Sequence, residues 1–439
     1  MGLAGDRIGD LRAINPRAMG RLLGAVDAAL EAVDPRRLVR SALAPTEDGV
    51  LAGGRFIAAR TVAVLAVGKA ATGMSRGAAD TLGPLVSRGL VVTDQTETAP
   101  DWAEVVVGGH PVPDEGSVKA AERAIDLARG VAPDELLLAL VSGGGSALLE
   151  APAEGLSLDD IQNLNAQLIR SGAPIETINQ VRQAVSLVKA GRLAAHCRSP
   201  VVTLVVSDVG DDPAVVASGP TVTPPRSPAR PGEILDRYSI RGGAADRARR
   251  VIAGAVEGSD ARQGSGSDLA LILADGMTAG RAAVRFLSAA GLDVSPAPAR
   301  LAGDTEDAVL RELATTPEAT VRVLAGETTV EVRGPGKGGR SQHAAVTAGI
   351  EIAGSRHRFL AFGTDGVDGP TDAAGGCVDG ATVTDPALAR SHLDACDSYA
   401  YLEAAGGLLR TGRTGTNVAD LWIVDRSGNG RATDPIVIS

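Results

Sequence analysis

The stretch LLLALVSGGGS, residues 136–146, decides the fold. Its opening apolar run is the length of a strand buried on both faces, and the triple glycine that follows is a turn with exposed backbone. Working outward, short apolar runs recur at 62–67, 90–93, 105–107 and 201–206, separated by helical patterns. Strands without a polar face, alternating with helices, build a parallel sheet in an α/β protein. Upstream, Met19, Leu22, Leu23, Val26, Leu30 and Val33 recur at three and four residues and predict a core-facing helix. A stretch at 221–232 containing Pro224, Pro225, Pro228 and Pro231 reads as a linker. Beyond it, runs at 269–273, 320–324, 329–332, 359–362 and 421–424 predict a second α/β domain, and the Gly- and Ser-rich 258–267 reads as a surface loop. The expected division is 1–232 and 233–439, with the last segment able to return to the first domain.

Composition narrows the functional classes. The chain has 439 residues, 44% hydrophobic and 22% charged, which suits two domains with ordinary cores. Aromatics are only 2%, so those cores are aliphatic. A net charge of −10 without a basic tract argues against nucleic acid as a partner. Cys197, Cys377 and Cys396 are too few and scattered for a disulfide framework or zinc site, and no run spans a membrane or resembles a signal peptide. A soluble cytoplasmic protein is expected. Four basic residues are lysines, Lys69, Lys119, Lys189 and Lys337, against 39 arginines, and three of the four adjoin glycine-rich turns.

Four glycine clusters follow expected strands: Gly68-Lys69; Ser142, Gly143, Gly144, Gly145 and Ser146; Gly334 to Arg340; and Gly363 to Gly366. Ligands of open α/β sheets bind at the carboxyl ends of strands. The SGGGS run can form a nest of N–H groups for phosphate, with Ser142 and Ser146 as hydroxyl donors, or simply a tight turn. Gly334, Gly336 and Gly339 match G-x-G-x-x-G, yet no acidic residue stands where a dinucleotide ribose needs one, and Lys337 precedes glycine, not the Ser or Thr of a Walker loop. Phosphoryl transfer asks for cations, carboxylates and a group that orients the attacking hydroxyl. Lys69, Lys189, Lys337 and Arg340 supply the first; Asp208, Asp211, Asp212, Asp365, Asp368 and Asp372 supply the second. His343, on the helix expected after the Gly334 loop, is placed to face a ligand, whereas His110 before a proline turn reads as a packed or hydrogen-bonded loop residue and His196, His357 and His392 lack ligand spacing to each other.

Taken in order, these motifs resemble the glycerate 2-kinases with a C-terminal MOFRL domain, often labelled hydroxypyruvate reductases. The resemblance runs from VLAVGKA at 64–70 through GHPVPDEGS, LVSGGGSALL, INQVRQAVSLVKAGRLA, VVSDVGDDPAVVASGPT, GETTVEVRGPGKGGRSQ and GTDGVDGPTDAAGG to TGTNVAD at 414–420. It implies a Rossmann-like first domain, a smaller MOFRL-type second domain and an active site in the cleft between them. It also implies ATP as donor, Mg²⁺ as cofactor, D-glycerate as acceptor, and is compatible with a homodimer. By the same resemblance Lys69, Arg340 and Asp365 are catalytic. Ser142 to Ser146, Lys189, Lys337, Gly338 and Gly339 bind nucleotide phosphates; Arg182, Asp208 and His343 face substrate; Asp208 and Asp365 hold the metal. The chain departs from the family at Ser341 and His343, where Asn and Glu are usual, at Ala184 in place of His, and at Ala190 in place of Gly. These departures allow another acceptor, such as a longer sugar acid or a hydroxyphosphonate. An NAD(P)H-dependent hydroxypyruvate reductase and a catalytically weakened nucleotide-binding protein are the rival readings.

Overall fold

The computed structural model describes residues 16–224, 230–254 and 268–428, so Pro225, Pro228 and the 258–267 loop lie outside the described residues. The chain forms two compact units, Asp34–Leu273 and the combination of Met1–Val33 with Ala274–Ser439.

The Asp34–Leu273 unit begins with a helix, Pro35–Ala42, whose start is fixed by the Asp34 carboxylate accepting the Arg37 N–H at 2.8 Å. A small antiparallel sheet follows: β1 (Leu43–Thr46), β2 (Gly49–Ala52) and β3 (Arg55–Ala58). The main sheet contains β4 (Thr61–Val67), β5 (Val86–Thr93), β6 (Ala103–Val107), β7 (Glu135–Ser142), β8 (Val201–Val206) and β9 (Leu269–Ala274), in the order β6-β5-β4-β7-β8-β9. The pairs joining β4 through β8 are parallel. All eight residues of β7 and all six of β8 are buried, which is why they read as unbroken apolar runs. Strand order reverses between β4 and β7, so the turns leaving these strands, at Gly68-Lys69 and Ser142–Ser146, stand side by side. The helices Leu158–Arg170, Ile175–Ala184, Pro231–Arg237 and Gly243–Gly254 contribute to a second, smaller core around Leu164, Leu168, Val181 and Leu235.

The other unit has a mixed sheet of β10 (Ala299–Leu301), β11 (Val321–Gly326), β12 (Arg358–Gly363), β13 (Gly375–Asp379), β14 (Leu408–Leu409) and β15 (Asp420–Asp425), ordered β10-β11-β15-β12-β13-β14. Only β10 and β11 pair in parallel; β15 runs antiparallel to both its neighbours. Phe359 and Trp422 meet edge to face, with ring centroids 5.3 Å apart, in this aliphatic core.

The compact units divide at 33/34 and 273/274 where the expectation from sequence is 232/233: β9 edges the first sheet, while the helix Pro16–Ala32 packs on Gly276–Ala289. One expectation is corrected. Residues 329–332 form no strand: Thr329 makes one bridge to Asp304, and Val332 is 78% exposed. Val330 and Val332, alternating with Thr329 and Glu331, resemble a half-buried strand but have no sheet to join.

The turn after Val188 carries strain. Ala190 sits at φ 56°, its N–H bonded to the Ser218 carbonyl at 3.0 Å, and Gly191 follows at φ 80°. A left-handed alanine costs about 1–2 kcal/mol, partly offset by the entropy that glycine adds to the unfolded chain. Ala190→Gly should therefore raise stability by roughly 0.5–1 kcal/mol in urea denaturation; destabilisation would show the strain to be absent.

Candidate functional site

In the Asp34–Leu273 unit, the turns after β4 and β7 are laced together. The Lys69 N–H donates to the Gly143 carbonyl at 2.9 Å. The fully buried Ser142 hydroxyl accepts the Ala70 N–H at 3.0 Å and donates to the Val67 carbonyl at 3.3 Å. That hydroxyl joins two strands and is not presented to a ligand, against the expectation from sequence. Gly144, at φ 85°, is flanked by the Lys69 stem and the exposed His110 ring: a Cβ there would lie 3.2 Å from both Lys69 Cγ and His110 Cδ2. A side chain at residue 144 would push the lysine aside. Ser146 shares a 2.9 Å hydrogen bond with Ser218, and Ala217 and Ser218 both hold positive φ. Asp208 is partly exposed just beyond β8, in a turn closed by Ser207 Oγ accepting the Val209 and Gly210 N–H groups.

Lys189 is elsewhere than expected. It is 1% exposed, and its Nζ donates to Glu150 Oε2 at 2.7 Å and to the Leu149 carbonyl at 3.2 Å. Burial lowers its pKa against the opposing pull of Glu150. An ammonium sealed in this way is a structural ion pair, not a phosphate ligand. Arg182 is half-buried, with Nε donating to Asn165 Oδ1 at 2.9 Å; burial depresses its pKa, and the Glu150 charge counters that.

In the other unit, Arg340 opens the helix Arg340–Glu351. Its Nε and Nη2 grip Asp420 at 2.5 and 3.1 Å, and Nη2 also reaches Glu327 at 2.5 Å. Burial works against the charged guanidinium, but Asp420 and Glu327 outweigh it and raise its pKa, so Arg340 stays cationic. Gly339 at the N-cap has no side chain to cap the helix; the buried Asp368 does so, accepting the Ser341 and Gln342 N–H groups at 3.1 and 2.8 Å. Burial and the Asp420 charge push Asp368 up to about 6 despite these bonds. Asp420, buried beside Glu327 and Asp365, is also raised in spite of Arg340. Asp365 is partly exposed just beyond β12, with its Oδ1 accepting the Val367 N–H at 3.0 Å.

The Gly334–Gly339 segment does not follow a strand, so its match to a dinucleotide fingerprint lacks the required context. Its glycines answer to packing: a Cβ at Gly334 or Gly336 would lie 2.3 or 2.5 Å from the Ala395 carbonyl oxygen, and Gly338 and Gly339 press against Ser398 and Asp368. Lys337 is exposed above Tyr399. His343 is 6% exposed and bonded to Glu306, which also holds Arg390, so it does not face a substrate. Ser341 is wholly buried as well, so neither departure changes an accessible surface. Asp420, Glu327 and His110 were not singled out as site residues by sequence reasoning; for Asp420 the signal was present, an acid ending the TGTNVAD motif just before an apolar run. Among the described residues, no group of three His, Cys, Asp or Glu side chains is arranged to hold a metal ion, and no helix is long and apolar enough to cross a membrane.

Two family profiles match the chain, a domain of unknown function (DUF4147) over residues 21–253 and the MOFRL family over residues 320–420. A protein named D-glycerate 2-kinase from Thermotoga maritima is 36% identical, covering 93% of this chain and 99% of its own. One named glycerate 2-kinase from Pyrococcus horikoshii is 34% identical over 94% of this chain and 97% of its own. The crystal structure of a Thermotoga maritima glycerate kinase superposes with a TM-score of 0.77 at 34% identity, covering 93% of this chain and 100% of that one. With profiles and relatives spanning both units, the chain belongs to the glycerate 2-kinase family built from a DUF4147 region and a MOFRL domain.

Proposed function

We propose that this protein is an ATP-dependent kinase that phosphorylates the 2-hydroxyl of D-glycerate. The observation that carries the reading is the similarity to proteins named glycerate 2-kinase across more than nine-tenths of the chain. Lys69, its N–H bonded to Gly143 and its stem beside Gly144 at the strand-order reversal, fits the role of a cation on the transferring phosphoryl group. The backbone of Gly143 to Ser146 fits a phosphate cradle, with the Ser142 hydroxyl excluded from it. Arg182 offers a planar fork for the substrate carboxylate. Arg340, fixed by two carboxylates, supplies a second oriented cation, and Asp365 is the carboxylate that would orient or deprotonate the attacking hydroxyl.

Mg²⁺ is part of the proposal. A hard cation of this kind asks for one or two carboxylates with phosphate oxygens completing its shell, and the partly exposed Asp208 and Asp365 are donors of that chemistry in their respective units. When bound it would neutralise phosphate charge.

Because Ser341 and His343 are buried in their own unit, these two departures from the family pattern give no support to a different acceptor, and glycerate is favoured by the relatives named for it. Incubated with ATP, Mg²⁺ and D-glycerate, the purified protein should yield 2-phosphoglycerate and ADP, identified by ³¹P and ¹³C NMR. Consumption of NADH with hydroxypyruvate and no ADP formation would instead establish the reductase. Lys69→Ala should lower kcat at least about 100-fold, the scale of losing one oriented charge-stabilising group. Arg340→Lys keeps the charge but gives up the paired grip on Asp420, so kcat/KM should fall by a similar factor with the fold intact by circular dichroism; near-normal kinetics would remove Arg340 from the mechanism.

A further inference from the structure

Lys337 is fastened in a way that its exposure does not suggest. The loop carrying it is strapped to the residues between the helices Pro386–Asp394 and Ser398–Ala405 and to the first turn of the latter: Gly336 N–H donates to the Ala395 carbonyl at 2.9 Å, Lys337 N–H to Asp397 Oδ1 at 3.1 Å, and Tyr399 N–H to the Lys337 carbonyl at 3.0 Å. The side chain then folds back so that Nζ stands 4.4 Å from the centroid of the Tyr399 ring. The ring itself is clamped at its far end. Its hydroxyl donates to Asp372 Oδ1 at 2.7 Å and accepts from Arg410 Nη2 at 2.7 Å, while Arg410 also reaches Glu403 at 2.5 Å.

The chemistry of this contact differs from that of a salt bridge. A carboxylate beside Lys337 would neutralise its charge and occupy its N–H donors. An aromatic face attracts the ammonium through its quadrupole and leaves both charge and donors for another anion. A lysine side chain also carries about 2 kcal/mol of rotamer entropy, part of which is lost before any ligand arrives if a ring already fixes it. Lys189 shows the contrast within the same chain, its ammonium consumed by Glu150.

The geometry points to Tyr399 as a positioning residue that holds Lys337 ready for the phosphates of the nucleotide donor, an inference that rests on the kinase reading above. Asp372 and Arg410 act one step further out, by keeping the ring from swinging away.

With four lysines in the chain, one of them sealed, the contact can be read directly. Reductive methylation with ¹³C-formaldehyde preserves the charge of each exposed lysine, and Lys119→Arg and Lys337→Arg assign the signals. The Lys337 dimethyl resonance should be displaced upfield from that of the solvated Lys119 by the ring current, equally in Tyr399→Phe, and should move back in Tyr399→Leu. In unmodified protein, Tyr399→Leu should raise the KM for ATP about three- to fivefold with kcat little changed, and Tyr399→Phe should restore it. Combining Tyr399→Leu with Lys337→Ala should be no worse than Lys337→Ala alone, since both remove the same interaction. A Lys337 resonance indifferent to Tyr399→Leu, or effects on KM that simply add in the double variant, would overturn the proposal. Absence of turnover in the unsubstituted protein would sink the kinase reading instead; titration of the Lys337 resonance with ATP then decides, and no shift on ATP addition overturns the positioning role.

Discussion

A guanidinium shared by a buried aspartate and a half-exposed glutamate governs the MOFRL-containing unit. Arg340 cannot leave Asp420 without stranding a carboxylate that is 2% exposed, a loss of about 3–5 kcal/mol for a broken buried pair. Because Arg340 is the first residue of its helix, that bond also fixes where the helix begins. Asp368 then has to serve as the cap, since the residue at the N-cap is glycine, and doing so places a second buried acid near the first. Several acids crowd one guanidinium, and burial first, with the neighbouring acids adding to it, raises the pKa of both Asp368 and Asp420.

The parallel sheet was legible because burial on both faces leaves its record in β7 and β8, apolar at most positions, and their short length and the turn residues that follow favour central strands over a buried helix. Residues 329–332 misled for the opposite reason. Alternation over four residues is weak evidence when no partner strand is specified, and the glycines behind them were bound to look like a ligand loop once a strand was assumed. Their contacts with Ala395 and Ser398 are long-range, and no local pattern encodes them.

The site divides in the same way. Lys69, Arg340 and Asp365, the residues proposed for the chemistry, stand in motifs at the ends of expected strands and at a helix start, where sequence reading looks first. Asp420 escaped assignment because the rule of carboxyl ends fails for it: β15 runs antiparallel to β11 and β12, so its first residue lies level with their last, opposite Gly326 and Gly363. Lys189 invites a ligand reading because a lysine beside a glycine turn reads the same whether it faces water or Glu150. Only burial separates the two, and burial there depends on residues about 40 positions away.

The placement of β15 has a consequence for the order in which the chain acquires its form. Synthesis delivers the complete Asp34–Leu273 unit before most of its companion exists, whereas β11 and β12 emerge with a gap between them that only residues 420–425 can fill. The helix Pro16–Ala32, made before the Asp34–Leu273 unit, waits through some 240 intervening residues for the Gly276–Ala289 helix against which it packs. On the ribosome, therefore, the apolar face of that helix stays uncovered until the Gly276–Ala289 helix has been made, and the facing edges of β11 and β12 stay open until residues 420–425 follow.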